Sequence, residues 1–183
     1  MVRAVEKVRE RLLRASIALE RAGIPYAVAG GNAVAAWVST VDEAAVRNTR
    51  DVDMLVRRED LPAIRATLEA EGFTYRHVAN VDVFLDTPDG SVRDAVHLIF
   101  AGEQVRSGEP APNPEFASAE TGAGFQVLPL RELVTIKLTA FRDKDRTHLR
   151  DMIEVGLIDA SWVGLLPSEL GSRLQALIDD PFG

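Results

Sequence analysis

The sequence of 183 residues contains no cysteine, which excludes disulfide frameworks, thiolate zinc sites and cysteine nucleophiles. It also lacks an apolar run of the ~20 residues that cross a bilayer, so no membrane span is expected. The first residues mix Arg and Glu and lack the apolar stretch of a signal peptide. These absences predict a soluble protein of the cytoplasm.

An excess of basic residues is lacking too, since the formal net charge is −7 at pH 7. Bulk binding to DNA requires a basic footprint, so that function is excluded. The acidic excess is concentrated in residues 51–100 and 151–183, and residues 101–150 are balanced. An acidic stretch can hold metal ions, and the Arg and Lys residues of the neighbouring balanced stretch can hold phosphates beside them. The rest of the composition, 46% hydrophobic and 27% charged, is typical of a globular protein with a real core.

Hydrophobic periodicity predicts helices and strands in mixed order. The predicted helices cover residues 2–22, 32–38, 59–71, 130–143, 145–156 and 167–179. The predicted strands cover residues 26–29, 51–56, 74–85, 91–100 and 126–128. Pro88-Asp89-Gly90 is the predicted hairpin turn between two of these strands, and residues 102–124 form a long connection.

This order of elements predicts an α/β (α+β) fold, with a mixed β-sheet flanked by helices and a C-terminal helical segment. We expect residues 1–128 to form the α/β domain together with the N-terminal helix. Residues 129–183 are expected to form a helical segment that packs on this domain and completes its pocket.

Asp51-Val52-Asp53 is the most informative motif in the sequence. In a strand, residues i and i+2 point the same way, so the two carboxylates lie side by side and repel each other. A hard divalent cation such as Mg²⁺ removes that repulsion and commonly binds carboxylates together with substrate phosphates. The alternative is an exposed edge strand with two solvated aspartates.

Gly30-Gly31 lies between a predicted strand and a predicted helix. Glycines there allow a positive φ and a close approach of ligand to backbone, and the free N–H groups of the helix N-terminus can bind phosphate. The pair is neither a GxGxxG fingerprint nor a Walker A loop. By itself it is equally consistent with a tight turn.

Together, Ala29-Gly30-Gly31-Asn32-Ala33 and Arg47-Asn48-Thr49-Arg50-Asp51-Val52-Asp53 resemble the nucleotidyltransferases of the DNA polymerase β superfamily. The resemblance implies that Gly30, Gly31 and Asn32 contact nucleotide phosphates, with Arg47 and Thr49 also in the nucleotide site. It further implies that Asp51 and Asp53 are catalytic and bind Mg²⁺ (or Mn²⁺). That family usually has a third acid on a later strand, and here His97 stands where the acid is expected. His97 is therefore a third candidate metal ligand beside Asp51 and Asp53, and the alternative is a buried histidine with a hydrogen-bond partner. Asp82, Asp86 and Asp94 are the alternative third acids.

Lys137 falls on the apolar face of a predicted helix, where a buried charge needs a carboxylate or a phosphate. The segment Leu133–Arg146 is similar to the C-terminal helical segment of AbiEii-type nucleotidyltransferases, found among bacterial toxin–antitoxin systems. This similarity implies that Lys137 is catalytic and lines the nucleotide pocket, with Asp145 and Arg146 nearby.

The sequence therefore predicts a metal-dependent nucleotidyltransferase that moves an NMP group from a nucleoside triphosphate to RNA, a protein or a small molecule. A toxin–antitoxin role would add an antitoxin partner. The alternative is a catalytically impaired module of the same fold that binds a nucleotide or a partner, because His97 replaces the third acid. A third hypothesis is an α/β interaction domain in which Asp51 and Asp53 lie on a surface strand.

Overall fold

Seven strands form one mixed sheet in the computed structural model, which describes residues 2–181, with side chains from residue 5 onward. The spatial order of the strands is β3-β4-β5-β2-β1-β7-β6. The α/β (α+β) class predicted from the sequence is confirmed. The strands are β1 (Ala27–Ala29), β2 (Val52–Val56), β3 (Thr74–Val78), β4 (Val81–Leu85), β5 (Val96–Phe100), β6 (Ala119–Glu120) and β7 (Gln126–Val127).

Helices flank this sheet and share its core. Buried residues of the C-terminal helices, such as Leu133, Leu149 and Leu174, belong to the same hydrophobic core as the central strands. The division of the chain after residue 128 stays a prediction. The helices are α1 (Val2–Arg21), α2 (Gly30–Ser39), α3 (Leu61–Ala70), α4 (Leu130–Ala140), α5 (Asp143–Glu154) and α6 (Ser168–Asp179).

The segment 74–85 differs from the prediction of one continuous strand. It is a hairpin of β3 and β4, whose two-residue turn consists of Ala79 (φ 48°) and Asn80 (φ 66°). Positive φ at both central residues matches the twist of paired strands. The prediction is wrong because both halves are strand-like in composition and no glycine or proline marks the turn.

The predicted turn Pro88-Asp89-Gly90 lies in the connection between β4 and β5, which are antiparallel neighbours. The strand after it is shorter than predicted, because Val92–Asp94 form a 3₁₀ turn and β5 begins only at Val96. Within residues 2–181, none of the helices combines the length and the apolar character needed to cross a bilayer.

Three elements meet at one edge of the sheet and position the site. The strands β2 and β5 are parallel, so both begin at this edge, and the antiparallel strand β1 ends there. Helix α2 follows β1 directly and starts at Gly30. The motifs around Gly30, Asp53 and His97 are therefore brought together although they are separated along the chain.

Candidate active site

Asp51 and Asp53 lie at the beginning of β2, a central strand of the sheet. Asp53 is in register with Ala29 on β1 and with His97 on β5. The side chains of Asp51 and Asp53 are 23% and 20% exposed. The interpretation of Asp51-Val52-Asp53 as a solvated edge strand is therefore wrong, and with it the structural basis of the interaction-domain hypothesis.

His97 completes a three-residue cluster with these two aspartates. Each residue offers one ligand atom, and the three atoms all lie within 4.8 Å of one another. The distance from His97 Nδ1 to Asp53 Oδ1 is 3.6 Å. Two carboxylates and a partly exposed imidazole at this spacing fit a divalent cation.

None of the three alternative acids joins this cluster in the described part of the chain. Asp82 is buried on β4 and is hydrogen bonded to neighbouring side chains of β3. Asp86 forms ion pairs with two arginines of α1, and Asp94 is exposed in the 3₁₀ turn before β5. His97 therefore occupies the place at which the sequence resemblance expects a third acid.

The ring of His97 is held by the backbone of the segment that precedes β5. Its Nε2 lies 2.7 Å from the carbonyl oxygen of Val92. A carbonyl can only accept, so Nε2 carries a proton, and in the neutral ring Nδ1 presents its lone pair to Asp53. The adjacent Asp53 carboxylate raises the pKa of His97, against burial, which lowers it.

The two glycines allow the acidic strand and helix α2 to approach closely. Gly30 has φ +61°, and a Cβ placed on it would lie 1.9 Å from Asp53 Oδ2. A Cβ on Gly31 would lie 2.9 Å from Thr49 Cβ. The pair is thus required by contacts within the protein, whether or not its amides also bind phosphate.

Thr49 and Asn32 hold Asp51 in place. The Thr49 hydroxyl donates to Asp51 Oδ1 over 2.6 Å, and Asn32 Nδ2 donates to the Asp51 carbonyl oxygen over 2.8 Å. Burial by itself would raise the pKa of Asp51, but the Thr49 hydrogen bond and the nearby charge of Lys144 lower it overall. The carboxylate is therefore kept ionised, as a cation ligand must be.

Lys137 has a carboxylate partner. The sequence analysis expected either a carboxylate or a phosphate for this buried charge. Its Nζ lies 3.0 Å from Asp145 Oδ1, and the two side chains are 3% and 1% exposed. Arg142 Nε binds the other oxygen, Oδ2, over 2.7 Å. Burial lowers the pKa of Lys137, and Asp145 opposes that shift. Burial would raise the pKa of Asp145, but Arg142 and Lys137 lower it overall.

A cleft of about 470 Å³ joins the metal-binding cluster to this buried ion pair. Lys144, at the start of α5, also lines this cleft and has its Nζ 3.6 Å from Asp51 Oδ2. The opposite wall includes the tip of the β3–β4 hairpin. The polar cleft residues that the sequence prediction did not name individually are Asn80, Arg106, Glu109, Asn113, Thr139, Arg142 and Lys144. For the last two, the run of charge after α4 was the available signal.

Several predicted nucleotide-binding residues lie elsewhere. Arg47 forms an ion pair with Asp151, and together with Asn32 and Thr49 it lines a second cavity, of about 580 Å³, beside α1 and α2. Arg146 pairs with Asp143 on its own helix. Of the predicted site residues, the cleft is lined by Gly30, Asp51, Asp53, His97, Lys137 and Asp145.

We expect Gly30→Ala to weaken cation binding about tenfold or more, because the new methyl group displaces the Asp53 carboxylate. Titration calorimetry with MnCl₂ measures the effect. Gly23→Ala is the matched control, since Gly23 has φ +66° and no neighbouring atom within 4 Å of the added Cβ. Both variants carry the left-handed backbone cost of about 1–2 kcal/mol. Equal affinities would contradict the prediction.

Comparison with solved structures identifies the class to which this fold belongs. The chain is 14% identical to the antibiotic-resistance factor ANT(2'')-Ia, with a TM-score of 0.55 to its solution structure over 92% of this chain and 89% of that one. For the crystal structure of ANT(2'')-Ia in complex with adenylyl-2''-tobramycin, the TM-score is 0.54 at 14% identity, over 93% and 95% of the two chains. An antigenic nucleotidyltransferase-like protein from Paracoccidioides brasiliensis gives 0.53 at 14% identity, over 97% and 90%.

At this level of identity the likeness establishes the nucleotidyltransferase fold. No curated protein matches the chain in sequence. The model of a family described as uncharacterised nucleotidyltransferase matches residues 2–134, most of the chain. The chain belongs to this nucleotidyltransferase family, so the class predicted from the sequence, a nucleotidyltransferase, is confirmed.

Proposed function

We propose that the protein is a metal-dependent nucleotidyltransferase that transfers an NMP group to an acceptor on RNA, a protein or a small molecule. The observation that carries the proposal is the cluster of Asp51, Asp53 and His97, which faces basic side chains across one cleft. The carboxylates bind a divalent cation, Mg²⁺ or Mn²⁺, and the basic side chains bind the triphosphate. Membership in the family supports this assignment.

The proposed reaction forms a bond between an acceptor oxygen and the α-phosphorus. The bond from that phosphorus to the bridging oxygen breaks, pyrophosphate leaves, and the acceptor proton passes to solvent or to a nearby base. A bound divalent cation would neutralise the phosphates and orient the acceptor oxygen. The chain itself contributes charge and position, and no covalent nucleophile is required.

Each proposed role follows from the position of the side chain. Asp51 and Asp53 would hold the cation, which would supply positive charge to the triphosphate. Lys144 is half-exposed, so it can leave Asp51 for a phosphate oxygen when the cation binds. Lys137 is anchored by Asp145 and adds positive potential beneath the phosphates. Gly30 lets the start of α2 approach them closely.

Finer assignments are also part of the proposal. The segment Leu133–Arg146 supports an AbiEii-type subgroup, which would make the protein a cytoplasmic toxin–antitoxin component with an antitoxin partner. The proposed nucleotide site retains Gly31, Asn32, Arg47, Thr49 and Arg146 from the sequence prediction. Their present contacts, which support Asp51 or form ion pairs, would have to be shared or exchanged when a nucleotide binds.

The proposal is tested by titrating the protein with ATP, CTP, GTP and UTP in the presence of MgCl₂ or MnCl₂. We expect at least one nucleotide to bind, and its α-labelled form to transfer label to total RNA or to a desalted cell extract. No binding heat with any of the four nucleotides would overturn the proposal.

One lysine variant and one arginine variant of α5 test whether the nucleotide binds in the cleft. Lys144→Gln removes a positively charged side chain of the cleft and should weaken nucleotide binding about 10- to 150-fold, as expected for one charge-assisted contact worth about 1.5–3 kcal/mol. Arg150→Gln removes a positively charged side chain of the same helix that lies outside both the cleft and the proposed nucleotide site, and it should leave the affinity unchanged. An equal loss in both variants would indicate a general charge effect and contradict the assignment of the cleft.

The second candidate function is nucleotide binding without turnover. The observation that favours it is the imidazole of His97 at the place of the third acid. This second function predicts that a nucleotide binds in the titration but that no label is transferred to any acceptor, with either Mg²⁺ or Mn²⁺.

A further inference from the structure

The ligand atoms of the metal-binding cluster are not all oxygen. Two carboxylates and the His97 imidazole offer ligand atoms that all lie within 4.8 Å of one another, so one cation can contact all three. Mg²⁺ prefers oxygen ligands in octahedral geometry, whereas imidazole suits first-row transition ions. A nitrogen atom in this set therefore changes which cation the site prefers.

His97 is oriented as ligating histidines are. In metal sites the non-ligating ring nitrogen usually donates to a carbonyl or a carboxylate, which fixes the tautomer and the ring plane. Here Nε2 donates to the Val92 carbonyl over 2.7 Å, while Nδ1 faces Asp53. Thr49 fixes the Asp51 carboxylate in the same way. These supports hold the ligand atoms in place before a cation arrives.

The backbone leaves this ring little freedom to move away. His97 is paired in parallel register with Asp53 in the middle of the sheet, and its side chain is 21% exposed. No carboxylate among the described residues takes its place in the cluster. A cation bound to both aspartates thus has the imidazole nitrogen beside it.

The other histidine–aspartate contact of the sheet shows the contrast. His77 Nδ1 lies 2.9 Å from Asp82 Oδ1, but that oxygen also accepts from the Tyr75 hydroxyl and the other oxygen accepts from Arg58. Asp82 is therefore satisfied by donors, and a cation there would meet the positive charge of Arg58. The Asp51–Asp53–His97 cluster has two carboxylates to balance a divalent charge, and its positive neighbour Lys144 is half-exposed at 3.6 Å from Asp51, so it can turn away into solvent.

We propose that His97 Nδ1 is a ligand of the bound cation and that the site selects Mn²⁺, Co²⁺ or Zn²⁺ over Mg²⁺. This inference rests on the proposed function for the presence of a cation, and it adds which class of cation is bound. A nitrogen ligand takes the place of the third acid, so the cluster offers three ligands to an ion that is softer than Mg²⁺.

The test uses the full-length protein, made metal-free with a chelator and titrated separately with MgCl₂ and MnCl₂. Pulsed EPR of the Mn²⁺ complex should show coupling to one imidazole nitrogen, and CoCl₂ should give visible absorption of a nitrogen-containing site. His97→Gln should abolish the nitrogen coupling and lower Mn²⁺ affinity about tenfold or more. His97→Asp restores an all-oxygen set and should lower the ratio of Mn²⁺ to Mg²⁺ affinity about tenfold.

His77→Gln is the matched control and should leave both the nitrogen coupling and the affinity ratio unchanged. Circular dichroism and melting temperatures show whether the His97 variants are folded, and the EPR spectrum of the wild type requires no variant at all. Absence of nitrogen coupling in the wild type, or an equal affinity ratio in wild type and His97→Asp, would overturn the inference.

The experiments distinguish a failure of the metal-ligand proposal from a failure of the proposed transferase function. Nucleotide binding and label transfer with an all-oxygen Mn²⁺ spectrum would disprove the role of His97 and leave the transferase proposal standing. Nitrogen-coupled Mn²⁺ without binding of any nucleotide would disprove the transferase proposal and leave the metal assignment standing.

Discussion

Replacing Asp51 or Asp53 by asparagine should lower label transfer from an α-labelled nucleotide by on the order of a thousandfold. Loss of a charged ligand removes the cation, whose stabilisation of developing charge is worth several kcal/mol, and each 1.36 kcal/mol is tenfold in rate. The measurement is the initial rate of transfer to total RNA at saturating nucleotide and cation.

The same variants should melt at a nearly unchanged or higher temperature in the absence of a cation. Asparagine keeps an oxygen that accepts the Thr49 hydrogen bond to position 51, and the repulsion between the two carboxylates disappears. Asp94→Asn is the control, because Asp94 is an exposed acid of the same edge and lies outside the cluster; its rate should equal that of the wild type. A large fall in stability of the Asp51 or Asp53 variant would mean that these carboxylates are structural.

Asp145→Asn should destabilise the protein by about 3–5 kcal/mol, because it leaves the buried ammonium of Lys137 without a charged partner. Urea unfolding at neutral pH measures this loss. Lys137→Met should cost less, since Asp145 keeps its hydrogen bonds from Arg142. The double variant Lys137→Met/Asp145→Asn should be more stable than Asp145→Asn by itself, and the reverse order would contradict the assignment of the pair.

The loss in Asp145→Asn should also shrink as the pH rises. Burial already lowers the pKa of Lys137 in the folded protein, and removal of Asp145 lowers it further. The folded state then binds the lysine proton less tightly than the unfolded state, so stability rises with pH from this depressed pKa up to the ordinary lysine value. Asp143→Asn, which affects an exposed ion pair with Arg146, is the control and should change stability by less than about 1 kcal/mol at any of these pH values.

The sequence predicted the elements that build the site because their signals are local. The run Tyr26–Ala29 is apolar and ends at two glycines, which predicts a strand followed by a helix start. Asp51–Val56 alternates acidic and apolar residues and then becomes fully apolar, which predicts a strand anchored in the core. The family resemblance added that these two motifs belong together.

The hairpin turn at Ala79–Asn80 shows the limit of local signals. Residues 74–78 and 81–85 are both rich in strand-forming side chains. The turn between them uses Ala79 and Asn80 at positive φ, and Asn80 by itself is a weaker turn signal than a glycine or a proline. Pairing with β5 decides the break, because β4 must run antiparallel to β5 beside the site. The tip of this hairpin then becomes one wall of the cleft.

The sequence also did not predict which residues the charged and polar side chains of the site bind. Lys137 needed a carboxylate or a phosphate, and only the packing of α4 against α5 selects Asp145. Thr49 and Asn32 were predicted as nucleotide contacts, which stays a prediction, and the structure adds that both bind Asp51. A side chain with several donors or acceptors is consistent with many partners, and distance selects among them.

By itself, the sequence determined the fold class, the absence of thiol chemistry and the pair Asp51 and Asp53 as the candidate metal ligands. The tertiary structure decided which third residue joins them, since the parallel register of β2 and β5 places His97 opposite Asp53. The physical reason is that hydrophobic periodicity and turn residues act over a few positions of the chain, whereas a coordination site depends on atoms within 4.8 Å that come from strands more than forty residues apart.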